Sequence, residues 1–467
     1  MLARLSVSRA ATPAAAVSRA EYLQMSGRGE ALLAQGRPRE AEEVFRRLLV
    51  RMGGSGRAET EAYDQAITRQ RLGRCLADRS LVDEAEAEYR KALGILNDLA
   101  EKTRDVENAI GALHGGLGDL ALARRRLSEA REHHEKGLEI HRRLGDRRGV
   151  AVGEGQLGTL ALEEGDLAEA RRRYVEALAT FRELREPATE AVIHHQLGRL
   201  AKEEASRAAG EERAQLLDEA AAEYKQSLQL VEMLGDRQGA GASANQLAIV
   251  EQMAGRLGRA ARWYEKALVL EKSAGRDAAY VKTASNLAVL LQEAAELPAD
   301  DPRRRDFAGR DLLAEAEKWA LASLEIEEAI ADPSTEIWLT YANLAGIAKT
   351  RGNTTAAAAW LRKERRAFAD GSGAWERYRA RWEPVSRLFA LAVKVDEATR
   401  EPLRANWLAR LAETDDWKNL AAALDRVLAG ARDADALAEV HHLDRVDYLI
   451  LTKVLEAIAA AQAPPPD

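Results

Sequence analysis

The sequence predicts an all-α protein: an α-solenoid of about eight stacked helix pairs followed by a helical C-terminal segment. Three observations carry this. A fixed spacing of small and aromatic residues recurs along most of the chain. The composition is dominated by Ala and Leu with only 5% aromatics, which suits helices, because strands draw on β-branched and aromatic residues. At 467 residues the chain exceeds one small core, so it must be several domains or a repeat array.

The same numbers exclude whole classes. Basic and acidic residues nearly balance, 69 against 76, which lacks the basic excess of a general nucleic-acid binder. A single cysteine, Cys75, rules out a disulfide framework and a multi-cysteine zinc site. No apolar run approaches the length of a membrane span, so a cytoplasmic, non-membrane protein is expected.

Taken in order, residues 1–25 are rich in Arg and Ala, with no acid before Glu21. They lack the apolar centre of a secretory signal. They read either as an organelle-targeting stretch or, as favoured here, a flexible tail. From residue 26 to 371 the repeats follow. The undisturbed copies have a Leu-Gly or Leu-Ala pair, then Ala twelve residues on, usually an aromatic four later, and a small residue three after that; the first copy is weaker (Gly29, Ala41, Phe45), and after Leu197-Gly198 and Leu287-Ala288 the second half is delayed to Ala220 and Ala316. Leu72-Gly73 leads to Ala85, Tyr89 and Ala92; Leu157-Gly158 leads to Ala170, Tyr174 and Ala177. His134 takes the aromatic place after Gly118, and Leu361 takes it in the last copy, after Ala345. A small residue in the first helix lets the second helix approach, and the aromatic fills the space beside it. Turns such as Glu164-Gly165-Asp166 separate the two helices, Gly supplying a left-handed cap. No pair buries its apolar face alone, so the pairs must stack.

This pattern resembles the tetratricopeptide repeat, with copies from about residue 26 to 370. Undisturbed copies recur at 40 residues (Gly118, Gly158, Gly198), which is similar to the kinesin-light-chain class of that repeat. The resemblance implies a right-handed superhelix whose concave groove binds a protein or peptide. It implies a scaffold or adaptor with no cofactor, no metal and no catalytic residue.

Two copies carry insertions. Residues 203–218, rich in Ala and Glu, are expected to lengthen helices; residues 297–311, with Pro298 and Pro302, to form an exposed loop. Residues 372–460 do not repeat but hold Trp375, Trp382, Trp407 and Trp417. Their helical periodicity predicts helices over 417–428 and near 444–460, the first closed by Gly430. The stretch 417–455 resembles a helical tail that follows tetratricopeptide arrays in bacterial regulatory proteins. That likeness implies an alternative role: a regulatory or sensor subunit of a signalling or defence NTPase or protease system, docking through this segment. Residues 461–467, ending in three prolines, are expected to be disordered.

Candidate chemistry is sparse. Gly153-Glu154-Gly155-Gln156-Leu157-Gly158 matches G-x-G-x-x-G, but the repeat register puts it inside a first helix rather than at a nucleotide-binding turn. His134 and His141 lie two turns apart on one helix face, close enough to suggest a metal, although His134 sits at the packing aromatic's place. Cys75 reads as a buried small hydrophobe.

The candidate site is a row of amides two residues before each small residue of the first helix: Gln156, Gln196, Gln246, Asn286 and Asn343. In the kinesin-light-chain class that place lines the groove and bonds the backbone of an extended peptide. An amide carries both donor and acceptor, so it can satisfy a peptide group whatever its side chain. His195 and Asn245 stand one residue earlier. Arg199, one turn on, is expected to make a basic spot. The alternative is that these are ordinary polar residues of a solvated helix face.

Overall fold

The computed structural model describes residues 17–52, 59–330, 336–371, 373–395 and 397–462, and these are helical with no strand. Eight consecutive pairs match the eight sequence copies: α1 (Arg19–Ala34) with α2 (Pro38–Met52), α3 (Glu59–Asp78) with α4 (Val82–Asp98), α5 (Arg104–Ala123) with α6 (Leu127–Leu144), α7 (Arg147–Glu164) with α8 (Leu167–Leu184), α9 (Pro187–Arg207) with α10 (Gly210–Met233), α11 (Arg237–Met253) with α12 (Leu257–Ser273), α13 (Asp277–Glu296) with α14 (Leu312–Ile330), and α15 (Ile337–Thr350) with α16 (Thr354–Asp370). After them come α17 (Ala374–Ala392), α18 (Glu397–Pro402), a π-helical turn Leu403–Leu408, α19 (Ala409–Ala412), α20 (Lys418–Leu428), α21 (Ala434–Val440) and α22 (Arg445–Gln462).

The small-residue rule has a direct cause. A Cβ added at Gly73 would lie 2.5 Å from the Tyr89 ring, and one at Gly158 would lie 2.9 Å from Tyr174. The ring therefore rests on bare helix backbone, and Tyr174 becomes fully buried. Burying an aromatic of this size contributes on the order of 2–3 kcal/mol in the pairs that carry one there, through Phe45, Tyr89, Tyr174, Tyr224 and Tyr264. The eighth pair solves the problem differently. Leu361 is 41% exposed, and its neighbour Trp360 stacks on Tyr341 with ring centroids 5.9 Å apart. Turn chemistry agrees with the sequence. Gly165 (φ 83°) and Gly145 (φ 64°) end α7 and α6 in the left-handed region, and Asp166 caps α8 by accepting from the Glu169 amide.

The chain forms two compact units, Met1–Leu234 and Gly235–Asp467. In each unit successive first helices touch one another as well as their partners: α1, α3, α5, α7 and α9 in one, α11, α13 and α15 in the other. Successive second helices do not approach to that extent. The first helices therefore form the inner layer of each unit. In the second unit α22 packs on both α16 and α17, which ties the C-terminal segment to the last repeat.

Several details differ from the sequence reading. Helix α1 begins at Arg19, capped by Ser18, inside the stretch expected to be a tail; residues 1–16 and 463–467 lie outside the described residues. Residues 203–218 are carried by lengthened α9 and α10 with a break at Ala208–Ala209. The 297–311 insertion is not simply an exposed loop. Its 3-10 helix Pro302–Phe307 inserts Phe307, 3% exposed, into the core of the second unit. In the C-terminal segment Trp382 is buried against Trp407 and Trp417. That cluster with Phe389 forms a core of its own.

Candidate functional site

Residues four apart on a helix share a face. In the first unit this puts two rows side by side on the first helices. One holds Gln156 and Gln196, continuing the register of Arg71 and Gly116. The other, one turn earlier, holds Ile67, Ala112, Val152 and Val192. Val192 is 56% exposed. Where the small residues Ala112 and Gly115 fall, the surface sinks into a cavity of about 470 Å³ between α3, α5 and α7, bordered by Ile67, Val152, Gln156, Asn108 and Arg148. The inner face of this unit thus presents an aliphatic row beside hydrogen-bonding side chains.

The predicted residues fare unequally. Gln156, half-buried, donates from Nε2 to Asp119 Oδ2 at 2.9 Å. Gln196 accepts from Arg199 at 2.9 Å, leaving its own amide N–H group to donate elsewhere. The other arm of the Arg199 guanidinium pairs with Glu163 at 2.9 Å. The expected basic spot is therefore largely neutralised, by a carboxylate 36 residues away in sequence. His195 meets Tyr224 edge-on with centroids 5.1 Å apart. Burial, then the charges of Arg199 and Lys202, push its imidazole down to about 4, so it is neutral at physiological pH.

In the second unit Gln246, Asn286 and Asn343 are half-buried on α11, α13 and α15. Asn286 and Asn343 make no side-chain hydrogen bond among the described residues. Asn245 departs from the expectation. It is 8% exposed, and its Oδ1 is enclosed without a hydrogen-bond partner among the described residues. One residue's shift on a helix turns a side chain by about 100°, which here carries it off the open face into the packing.

The histidines do not converge. His134 lies over Gly118 where other pairs carry Tyr and is 1% exposed; among the described residues neither ring nitrogen makes a hydrogen bond, and Nε2 stands 3.7 Å from Asp119 Oδ1. Burial pushes it down to about 4. His141 bonds Asn108 and Asp146 through Nδ1, each at 3.0 Å. His133 instead faces His114, Nδ1 to Nδ1 at 2.9 Å. Among the described residues no group of three or more His, Cys, Asp or Glu is arranged to hold a metal. The G-x-G-x-x-G segment lies within α7. Cys75 is fully buried, and burial pushes its thiol up to about 12, where it stays protonated.

Sequence reasoning missed Asn108 and Arg148, which border the cavity. Both stand eight residues before the amide row in their own repeats, so the register alone could have found them.

Residues 109–183 match the family model of the tetratricopeptide repeat. No curated protein matches the sequence. Among solved structures, the signal transduction ATPase with numerous domains (STAND) protein with a tetratricopeptide repeat sensor from Pyrococcus horikoshii is similar, at 15% identity and a TM-score of 0.53. The match covers 73% of this chain but only 46% of that one, so this chain spans less than half its length. BtubC (BKLC) from P. vanneervenii is 21% identical over 53% of this chain and 91% of its own, with a TM-score of 0.41. The putative kinesin light chain repeats of Podosopora anserina are 15% identical over 50% and 96%, with a TM-score of 0.29. The likeness to the STAND protein and the matched segment agree on a tetratricopeptide-type solenoid.

Proposed function

On this solenoid we propose that the chain is a non-catalytic scaffold or adaptor that holds an extended segment of a partner protein against the inner faces of its helix pairs. The observation that carries this is the pairing of rows in the first unit. Side-chain amides can bond a peptide backbone, and the aliphatic row and its cavity, one turn away, can take alternate side chains. Asn286 and Asn343 supply free amides on the same register in the second unit. The contact residues in this reading are Gln156, Gln196, Gln246, Asn286 and Asn343, with His195 as a neutral flank and Arg199 as the group that orients Gln196. Asn245 supports them from within the packing.

A second reading has its own observation. Leu388, Leu391 and Val395, 43%, 66% and 38% exposed, make an apolar stripe along α17 and just beyond it. Such a stripe suits docking of a regulatory subunit on a larger assembly, and the likeness to the Pyrococcus protein, a STAND ATPase with a repeat sensor, favours this role.

A capture experiment from source lysate separates them. The intact chain is run beside a variant with Gln156, Gln196, Asn286 and Asn343 changed to Ala, and beside Leu391→Glu, all checked for equal helicity. Loss of the partner in the amide variant alone supports the groove. Loss in Leu391→Glu alone moves the function to the C-terminal segment.

A further inference from the structure

A second cavity of the first unit, about 620 Å³, lies among the N-terminal ends of α1, α3 and α5. It adjoins the cavity beside Gln156, because Tyr63 and Asp105 border both. Its walls are the Tyr22 and Tyr63 rings with Leu99 and Val106. Its lining carries the carboxylates Glu61, Asp64, Glu101 and Asp105 and, among the described residues, the cation Arg19, while the Arg71 charge also acts on Tyr22, Tyr63 and Asp64. Arg19 is already engaged. Its guanidinium pairs with Asp64 and sits 5.1 Å from the centre of the Tyr22 ring. One wall of this cavity thus already holds a guanidinium between a carboxylate and an aromatic face, the combination that binds such groups best.

Glu101 and Asp105 are left over. Both are exposed, and neither makes an ion pair among the described residues, in a chain whose helix faces are laced with Arg–Glu pairs. The resulting negative field reaches the wall: after burial, the Asp105 charge is the next cause raising the Tyr63 phenol.

We propose that this cavity takes an Arg or Lys side chain of the bound partner segment, its stem against Leu99 and Val106 and its charged head between Glu101 and Asp105. The inference rests on the peptide-binding reading and adds a specificity to it. A long cationic side chain suits an apolar cavity with an acidic mouth, because its methylenes bury while its head meets the carboxylates.

The test uses the intact chain and a random nonapeptide library displayed on phage. The expected result is at least threefold enrichment of Arg and Lys at one position. In a selected peptide, changing that residue to Gln weakens binding at least tenfold by fluorescence anisotropy. On Glu101→Gln with Asp105→Asn the same change costs less than twofold. The charge reversal Glu101→Lys with Asp105→Lys, matched in helicity, abolishes the preference. Peptides selected without a basic position, and lost on Gln156→Ala with Gln196→Ala, would overturn the cation site and leave the groove reading standing. A preference unchanged in the Glu101 and Asp105 variants would also overturn it. No enrichment of any peptide would overturn both.

Discussion

At Gly73 the helix gives up intrinsic stability so that a ring can approach. Replacing it with Ala would gain roughly 1 kcal/mol of helix propensity but force a Cβ into the buried Tyr89 ring, a clash typically worth 1–3 kcal/mol. Because the ring has nowhere to retreat, Gly73→Ala is expected to destabilise by about 1–2 kcal/mol in urea unfolding. Gly94 is the control. It is exposed within α4, with nothing within 4 Å of an added Cβ, so Gly94→Ala should stabilise by about 0.5–1 kcal/mol. Glu271 supplies a pH test. It is 4% exposed, bonded by the Thr283 hydroxyl, and burial pushes its carboxyl up to about 7 from 4.5. A raised carboxyl binds its proton more tightly folded than unfolded, so this group lowers stability as pH climbs from 4.5 through 7. Glu271→Gln removes that loss. Its stability relative to the parent should rise between pH 5 and pH 8, on the order of 1–3 kcal/mol, by denaturant melts at each pH. A flat difference would mean that the carboxyl ionises without cost.

Among the elements, the helix pairs were legible because their determinants are local. Ala, aromatic and Gly positions within about 35 residues decide each pair, and the eight pairs fall where the spacing puts them. The 297–311 insertion is mostly exposed, as its prolines predict, but its one buried aromatic, Phe307, has no periodicity to announce it. The end of α17 was not legible either. Arg400 on α18 donates to the carbonyls of Ala392 and Val393 and to that of Leu428 on α20, all within 3.0–3.1 Å. It caps two helix ends with one guanidinium. Arg400→Met keeps the stem but leaves these carbonyls without their donor, a loss of about 1.5–3 kcal/mol. Hydrogen exchange should then speed up in the last turns of α17 and α20 and remain unchanged in α1 to α9.

For the whole molecule, the inner-face register was readable while the chemistry at each place was not. Gln156 and Gln196 stand where the repeat puts them, yet Arg199 is compensated by Glu163, one repeat away, and Asn245 is turned into the packing. The second follows from the 100° turn between successive helix residues, while the first depends on a neighbour distant in sequence. The two cavities of the first unit were invisible for the same reason, since each gathers its walls from repeats about 40 residues apart. What the repeats did supply is a prediction about location. On the proposed reading the partner segment is expected on the first helices, because they form the inner layer in each unit.

The most direct test of that claim is hydrogen–deuterium exchange of the intact chain with and without a captured partner segment. Slowed exchange is expected on α5, α7 and α9 in the first unit and on α13 and α15 in the second, with α17 to α22 unchanged. Protection confined to the second helices, or to α17 and its neighbours, would contradict it.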